Sequence, residues 1–278
     1  MYSTSERSIL VPVGATDKAM IAISQSYGLA RLTKSKIVLL GVETSHHPFD
    51  QKRFDSIVAE VRANSGVAVE TMIRSGNVYD ETTKVANIIN PLFIVMGITE
   101  KLSVDKIIGK NAFRMVRESK HAVITIKGDV HRDGCKVILL PVDLSRETRE
   151  KVDRAVDLAK LFGSEIKLIS ILEHNNKEEE TKLLAYSHQV LKFVKDHGIN
   201  CTMKTMQGKD IPKMVLDYGH EVNADLIIIM SQEKLHFSDL LTVGTVAQRL
   251  INESDIPVLS FRPMVRKDTT IGVGAGAY

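Results

Sequence analysis

Asp143 closes the apolar run Lys136-Val137-Ile138-Leu139-Leu140-Pro141-Val142, and Gly244-Thr245 opens a helical pattern later in the chain. A carboxylate at the end of a strand can accept a ribose hydroxyl, and the unpaired amides at a helix start can hold a phosphate. Together these residue types point to a nucleotide pocket. They also have a plainer use, in which Asp143 caps the helix after it and Gly244-Thr245 is a glycine turn with an N-capping threonine. Spacing alone leaves both uses open. No Cys-His or Ser-His-Asp set stands in register, and His46-His47 has no carboxylate or cysteine at metal-ligand spacing. Neither catalytic residues nor a metal site are expected. Cys135 and Cys201 are too few for a zinc cluster or a disulfide framework and read as reduced thiols.

The elements that must position these residues occur twice. Ile107-Ile108-Gly109-Lys110-Asn111-Ala112-Phe113-Arg114-Met115-Val116-Arg117-Glu118-Ser119 is echoed without a gap by Thr242-Val243-Gly244-Thr245-Val246-Ala247-Gln248-Arg249-Leu250-Ile251-Asn252-Glu253-Ser254. The separation is that of a small domain rather than a solenoid repeat. Each copy opens with a buried-strand pattern ending at a proline, Ser8 to Val13 and Lys136 to Val142. Helical patterns follow over Asp17 to Leu32 and Arg146 to Phe162, the latter with Ala155, Leu158, Ala159 and Phe162 at three-to-four spacing.

Second strands are expected at Lys36 to Val42 and Glu165 to Leu172, and the helix-to-strand joints match, Ala30 and Ser35 against Ala159 and Ser164. A variable helix comes next, Phe49 to Asn64 and Lys177 to His197. Third strands, Ala68 to Ile73 and Asn200 to Met206, lead to Gly76 and Gly208 and further helices. Fourth strands lie at Leu92 to Met96 and Leu226 to Met230, and fifth strands at Ala122 to Ile126 and Pro257 to Phe261. Strands alternating with helices require right-handed crossovers, so the fold class is α/β, two tandem doubly wound five-stranded parallel-sheet domains. The expected division is 1–130, 131–264 and a flexible tail, 265–278. Gly272-Val273-Gly274-Ala275-Gly276 in that tail lacks the strand and helix that a dinucleotide motif needs.

Among 278 residues, 37 Lys and Arg against 34 Asp and Glu leave +3, too little for a phosphate-backbone binder. Nucleic acid is not expected as a partner. Hydrophobic residues at 44% with no long apolar run or leader-like segment indicate a folded cytoplasmic protein and no membrane partner.

Pro141-Val142-Asp143 after the first strand, Ala224-Asp225-Leu226-Ile227-Ile228-Ile229-Met230 at the fourth, and Gly244-Thr245 before a helix running to Asn252-Glu253-Ser254-Asp255-Ile256-Pro257-Val258 resemble the universal stress protein family. The likeness spans 8–127 and 136–263. It implies five-stranded parallel sheets of the adenine nucleotide alpha hydrolase type. It also implies pairing of domains through the fifth strands, leaving open whether the halves meet within one chain or across chains in a homodimer.

Nucleotide-binding members carry, after strand four, Gly, two residues, Gly, nine residues, then Gly-Ser or Gly-Thr. Those positions here are Ser231, Lys234, Gly244 and Thr245, so the spacing holds but two glycines are replaced. Phosphate must approach the main chain closely there, and a Cβ obstructs it. Lys234 or His236 could compensate by charge, although solvated loop residues are the plainer reading. In the first copy Glu100 replaces the second glycine, Gly109-Lys110 ends the pattern one residue early, and Gly14 stands at the aspartate position. That half is expected either not to bind or to be altered.

By this resemblance Pro141, Val142 and Ile171 border an adenine, Asp143 faces the ribose, and Ser231, Gly244, Thr245 and Val246 surround phosphates. The implied function is a stress-associated, non-enzymatic regulatory or binding protein, at most a weak ATPase. ATP is the expected ligand, with no metal beyond a magnesium ion accompanying it. The alternative is a ligand-free scaffold in which both pockets have decayed.

Overall fold

Ser8–Val13, SILVPV, is buried at every position, as a strand covered on both faces must be, and Val137–Val142, VILLPV, is buried except at the half-buried Val137 and Pro141. The computed structural model describes residues 7–13, 19–45, 49–98, 115–127, 130–132, 134–145, 147–173, 176–231 and 246–263. The expectations placed on Gly14, His46-His47, Glu100, Gly109-Lys110, Lys234, His236, Gly244-Thr245 and the tail lie outside those residues.

The first half comprises β1 (Ser8–Val13), α1 (Ala19–Thr33), β2 (Lys36–Glu43), α2 (Gln51–Ser65), β3 (Val69–Ser75), α3 (Val78–Ile89), β4 (Phe93–Gly97) and β5 (Val123–Ile126). The second comprises β6 (Val137–Val142), α4 (Glu147–Phe162), β7 (Glu165–Leu172), α5 (Lys177–Asp196), β8 (Cys201–Gln207), α6 (Ile211–Glu221), β9 (Leu226–Met230), α7 (Val246–Glu253) and β10 (Val258–Phe261). The two halves share one ten-stranded sheet, in the order β3-β2-β1-β4-β5-β10-β9-β6-β7-β8. Pairing within each half is parallel. Only the central seam is antiparallel, with Thr125 opposite Val258, Ile124 opposite Leu259 and Val123 opposite Ser260.

That pairing keeps the helix layers continuous across the seam. On one face α1, α2, α4 and α5 bury a core containing Ile23, Phe54, Val156 and Val194 against Ile9, Ile124, Ile138 and Leu259. On the other, α3, α6 and α7 bury Val85, Val215 and Leu250 against Leu10, Val123 and Ile227. The Phe93 and Phe162 rings, one from each half, meet at 6.0 Å between centroids. The linker is clasped as well: the side-chain amide of Gln25 donates to the Arg132 carbonyl at 2.6 Å and accepts from its N–H at 2.9 Å.

The repeated small residues do the same local work in each copy. Ser35 N–H donates to the Ala30 carbonyl and Ser164 N–H to that of Ala159, both at 2.9 Å. The residue between helix and strand is left-handed in both, Lys34 at φ 52° and Gly163 at φ 70°. Ser119 and Ser254 each accept from the N–H two residues on, at His121 and Ile256, and donate to the same residue's carbonyl. Those turns aim the chain into β5 and β10.

Candidate functional site

β6 and β9 pair only at Ile138 opposite Leu226 and Leu139 opposite Ile227, and the ladder stops before Pro141, which has no N–H to extend it. Chain direction around the sheet reverses between these strands, since β7 continues from β6 one way and β9 joins it from the other. Ligands of doubly wound sheets collect at the carboxyl ends of such strands. Asp143 leaves β6 there, and Ser231 leaves β9.

Asp143 Oδ1 accepts from the Ser145 N–H at 2.8 Å and from the Thr148 hydroxyl. The Ser145 and Thr148 hydroxyls lie 3.2 Å apart, so the turn into α4 is tied at both its ends. Asp143 thus orders the helix start, in keeping with the plainer use of this residue. Only Oδ1 is occupied in this way: among the described residues Oδ2 takes no hydrogen bond. Surrounding protein disfavours the charged carboxylate, but the Lys151 ammonium and the bonds from Ser145 and Thr148 outweigh this. The Asp143 carboxyl is therefore held below its ordinary range. As a residue it stays exposed, so the desolvation is partial.

The other residues expected at the pocket sit at the same edge where they are described. Pro141 is half-buried and Val142 buried at the end of β6. Ile171, near the end of β7, is half-buried and packs with the α6 and α7 face. Ser231 is 6% exposed, its N–H bonds the Phe261 carbonyl at 2.7 Å, and its Oγ has no partner among the described residues. Val246 begins α7 and packs on the same core. Arg249 fixes that helix by bonding Glu253 at 2.8 Å and Asp210, the N-cap of α6, at 2.9 Å. Its guanidinium thereby holds the Asp210 carboxyl below its usual range.

Sequence reasoning did not single out Lys151. It is 4% exposed, on the buried stripe of α4 with Thr148, Val152 and Ala155. Extending the Ala155-Leu158-Ala159-Phe162 spacing back one turn reaches it, a charge where the pattern calls for an apolar residue.

Burial pushes the Cys135 thiol up to about 12 and the Cys201 thiol to about 11, so neither is a thiolate nucleophile at neutral pH. Among the described residues no group of three or more His, Cys, Asp or Glu could hold a metal ion, and no helix is long and apolar enough to cross a membrane. An open cavity of about 340 Å³ lies in the first half between α3 and the helical turn at 115–118. Lys84 on its wall pairs with Glu81 at 2.6 Å, and the Thr83 and Ser119 hydroxyls there donate to the Tyr79 and His121 carbonyls.

Residues 134–262 match the model of the Universal stress protein family. A universal stress protein of Synechocystis sp. is 32% identical over 137 residues, covering 45% of this chain and 83% of that protein. Over nearly its whole length the chain is similar in fold to a crystal structure of a universal stress protein from Archaeoglobus fulgidus, with a TM-score of 0.74 and 20% identity. That match covers 92% of this chain and 96% of the other. A functionally unknown protein from Pseudomonas aeruginosa gives a TM-score of 0.69 at 18% identity, covering 93% of each chain.

Proposed function

Because the chain belongs to the universal stress protein family, we propose that it is a stress-associated binding protein that holds an adenine nucleotide, ATP foremost, in the β6–β9 crevice of its second half. One observation carries this reading: Asp143 stands at the strand switch point, held ionised, with Oδ2 free among the described residues. An ionised oxygen in that place is an acceptor for ribose hydroxyls. Pro141 and Ile171 would border the base, and the buried Ser231 hydroxyl would gain a partner at the phosphate end. In the sequence Gly244 and Thr245 directly precede α7, where the family resemblance puts the phosphate-facing amides.

No hydrolytic step is assigned: on this reading the free Asp143 oxygen is taken up by the ribose hydroxyls. Titration calorimetry should register ATP binding, and Asp143→Ala should abolish it. Absence of heat at millimolar ATP with the unaltered chain would overturn the nucleotide reading. A ligand-free scaffold is the second reading, favoured by the use of Asp143 Oδ1 inside the turn. It predicts a molecular mass by light scattering that ATP leaves unchanged.

A further inference from the structure

We infer that Lys151 is an anion-binding residue of the β6–β9 crevice, its ammonium supplying the charge that holds the phosphate end of a nucleotide. The inference rests on the nucleotide reading above and adds to it a residue and a basis for selecting charged ligands. α4 begins a few residues after β6 ends and packs against both β6 and β9, so its first turns lie at the carboxyl edge of these strands. Lys151 belongs to those turns and to the stripe that faces the sheet.

A buried ammonium is costly unless it is paired. Among the described residues Lys151 makes no hydrogen bond and no ion pair within 4.0 Å. Asp143 is close enough for its charge to be felt, yet its bonded oxygen is committed to Ser145 and Thr148. The lysine therefore keeps donor capacity at the edge of the sheet. A second observation falls at the same edge: Ser231, at the end of β9, is 94% buried by the complement of its 6% exposure, and its hydroxyl is unpartnered among the described residues. A donor-rich cation and a spare hydroxyl suit an anion, and Ser231 itself stands where the family resemblance puts a glycine that would admit phosphate to the main chain. Charge from the helix then does part of what backbone amides do in a glycine-rich loop.

The test compares ATP, adenosine and inorganic tripolyphosphate by calorimetry on the unaltered chain, Lys151→Met and Lys151→Arg. Met keeps the length of the stem without the charge. Lys151→Met should weaken ATP and tripolyphosphate at least tenfold and leave adenosine within twofold, and Lys151→Arg should restore most of the loss. Lys151→Met also takes from Asp143 the charge that favours its ionised form, so its thermal midpoint without ligand should fall, and Lys151→Arg should recover it. Equal losses for ATP and adenosine, or no loss for ATP, would overturn the assignment. Tripolyphosphate separates the two readings. Binding of it without ATP binding would defeat the nucleotide reading and leave the lysine assignment standing, whereas no binding of any of the three overturns both.

Discussion

Asp143 Oδ1 orders the turn into α4, and the pH dependence of stability should report that structural use. Its folded value lies below the ordinary carboxylate value of about 3.9. The stabilisation is therefore fully present above that value and is lost as pH falls through the folded one. Asp143→Asn should lower the urea midpoint near neutral pH and shrink the drop in midpoint between about pH 6 and pH 3. An unchanged acid limb in that variant would show that neither the Lys151 charge nor the Ser145 and Thr148 bonds stabilise the folded state through this carboxylate. Asp143 was legible from sequence because strand, proline and carboxylate are contiguous. Lys151 was not, since whether a lysine on a helix lies against the sheet or in water depends on which side of the helix is covered.

At the scale of elements, the start of β6 is pinned by a carboxylate from the start of β9. Asp225 Oδ2 accepts from the Lys136 N–H at 2.7 Å and the Val137 N–H at 2.9 Å. These bonds fix the register of β6 against β9 at the end away from the crevice. Asp225→Ala should cost about 1 kcal/mol in chemical denaturation, the low end for orphaned amides because this edge meets solvent. Asp196→Ala, which removes the exposed pair with Lys192 on α5, should change stability by less than about 0.5 kcal/mol. A larger loss at Asp196 than at Asp225 would contradict this ranking. The strands and helices were readable because apolar runs and helical spacing are local. Their ends shifted by a residue or two where caps decide them: α2 starts at Gln51 rather than Phe49 because Asp50 accepts the Arg53 N–H, and α3 starts after Asn77 for the same reason.

The whole molecule is organised by the seam. β5 and β10 each have a neighbour on both sides, which leaves β3 and β8 as the outer strands of the sheet. A homodimer that paired through the fifth strands would first have to open this seam. The shared cores and the Gln25 clasp predict that the two halves unfold together, in one calorimetric transition. Gln25→Ala removes both bonds to the Arg132 backbone, so trypsin cleavage after Arg132 should accelerate by roughly tenfold, following about 1–2 kcal/mol of local stability. Two separate transitions would refute the fused-sheet account.

By itself the sequence determined the α/β class, the duplication, the positions of the strands and the aspartate at the end of β6. All of these rest on patterns within one element or on the echo between two copies. Tertiary structure decided the antiparallel seam, the use of Asp143 Oδ1 inside its own turn, and the burial of Lys151. Those depend on contacts between residues far apart in the chain. Periodicity records that a face must be covered, but only the packed sheet specifies what covers it.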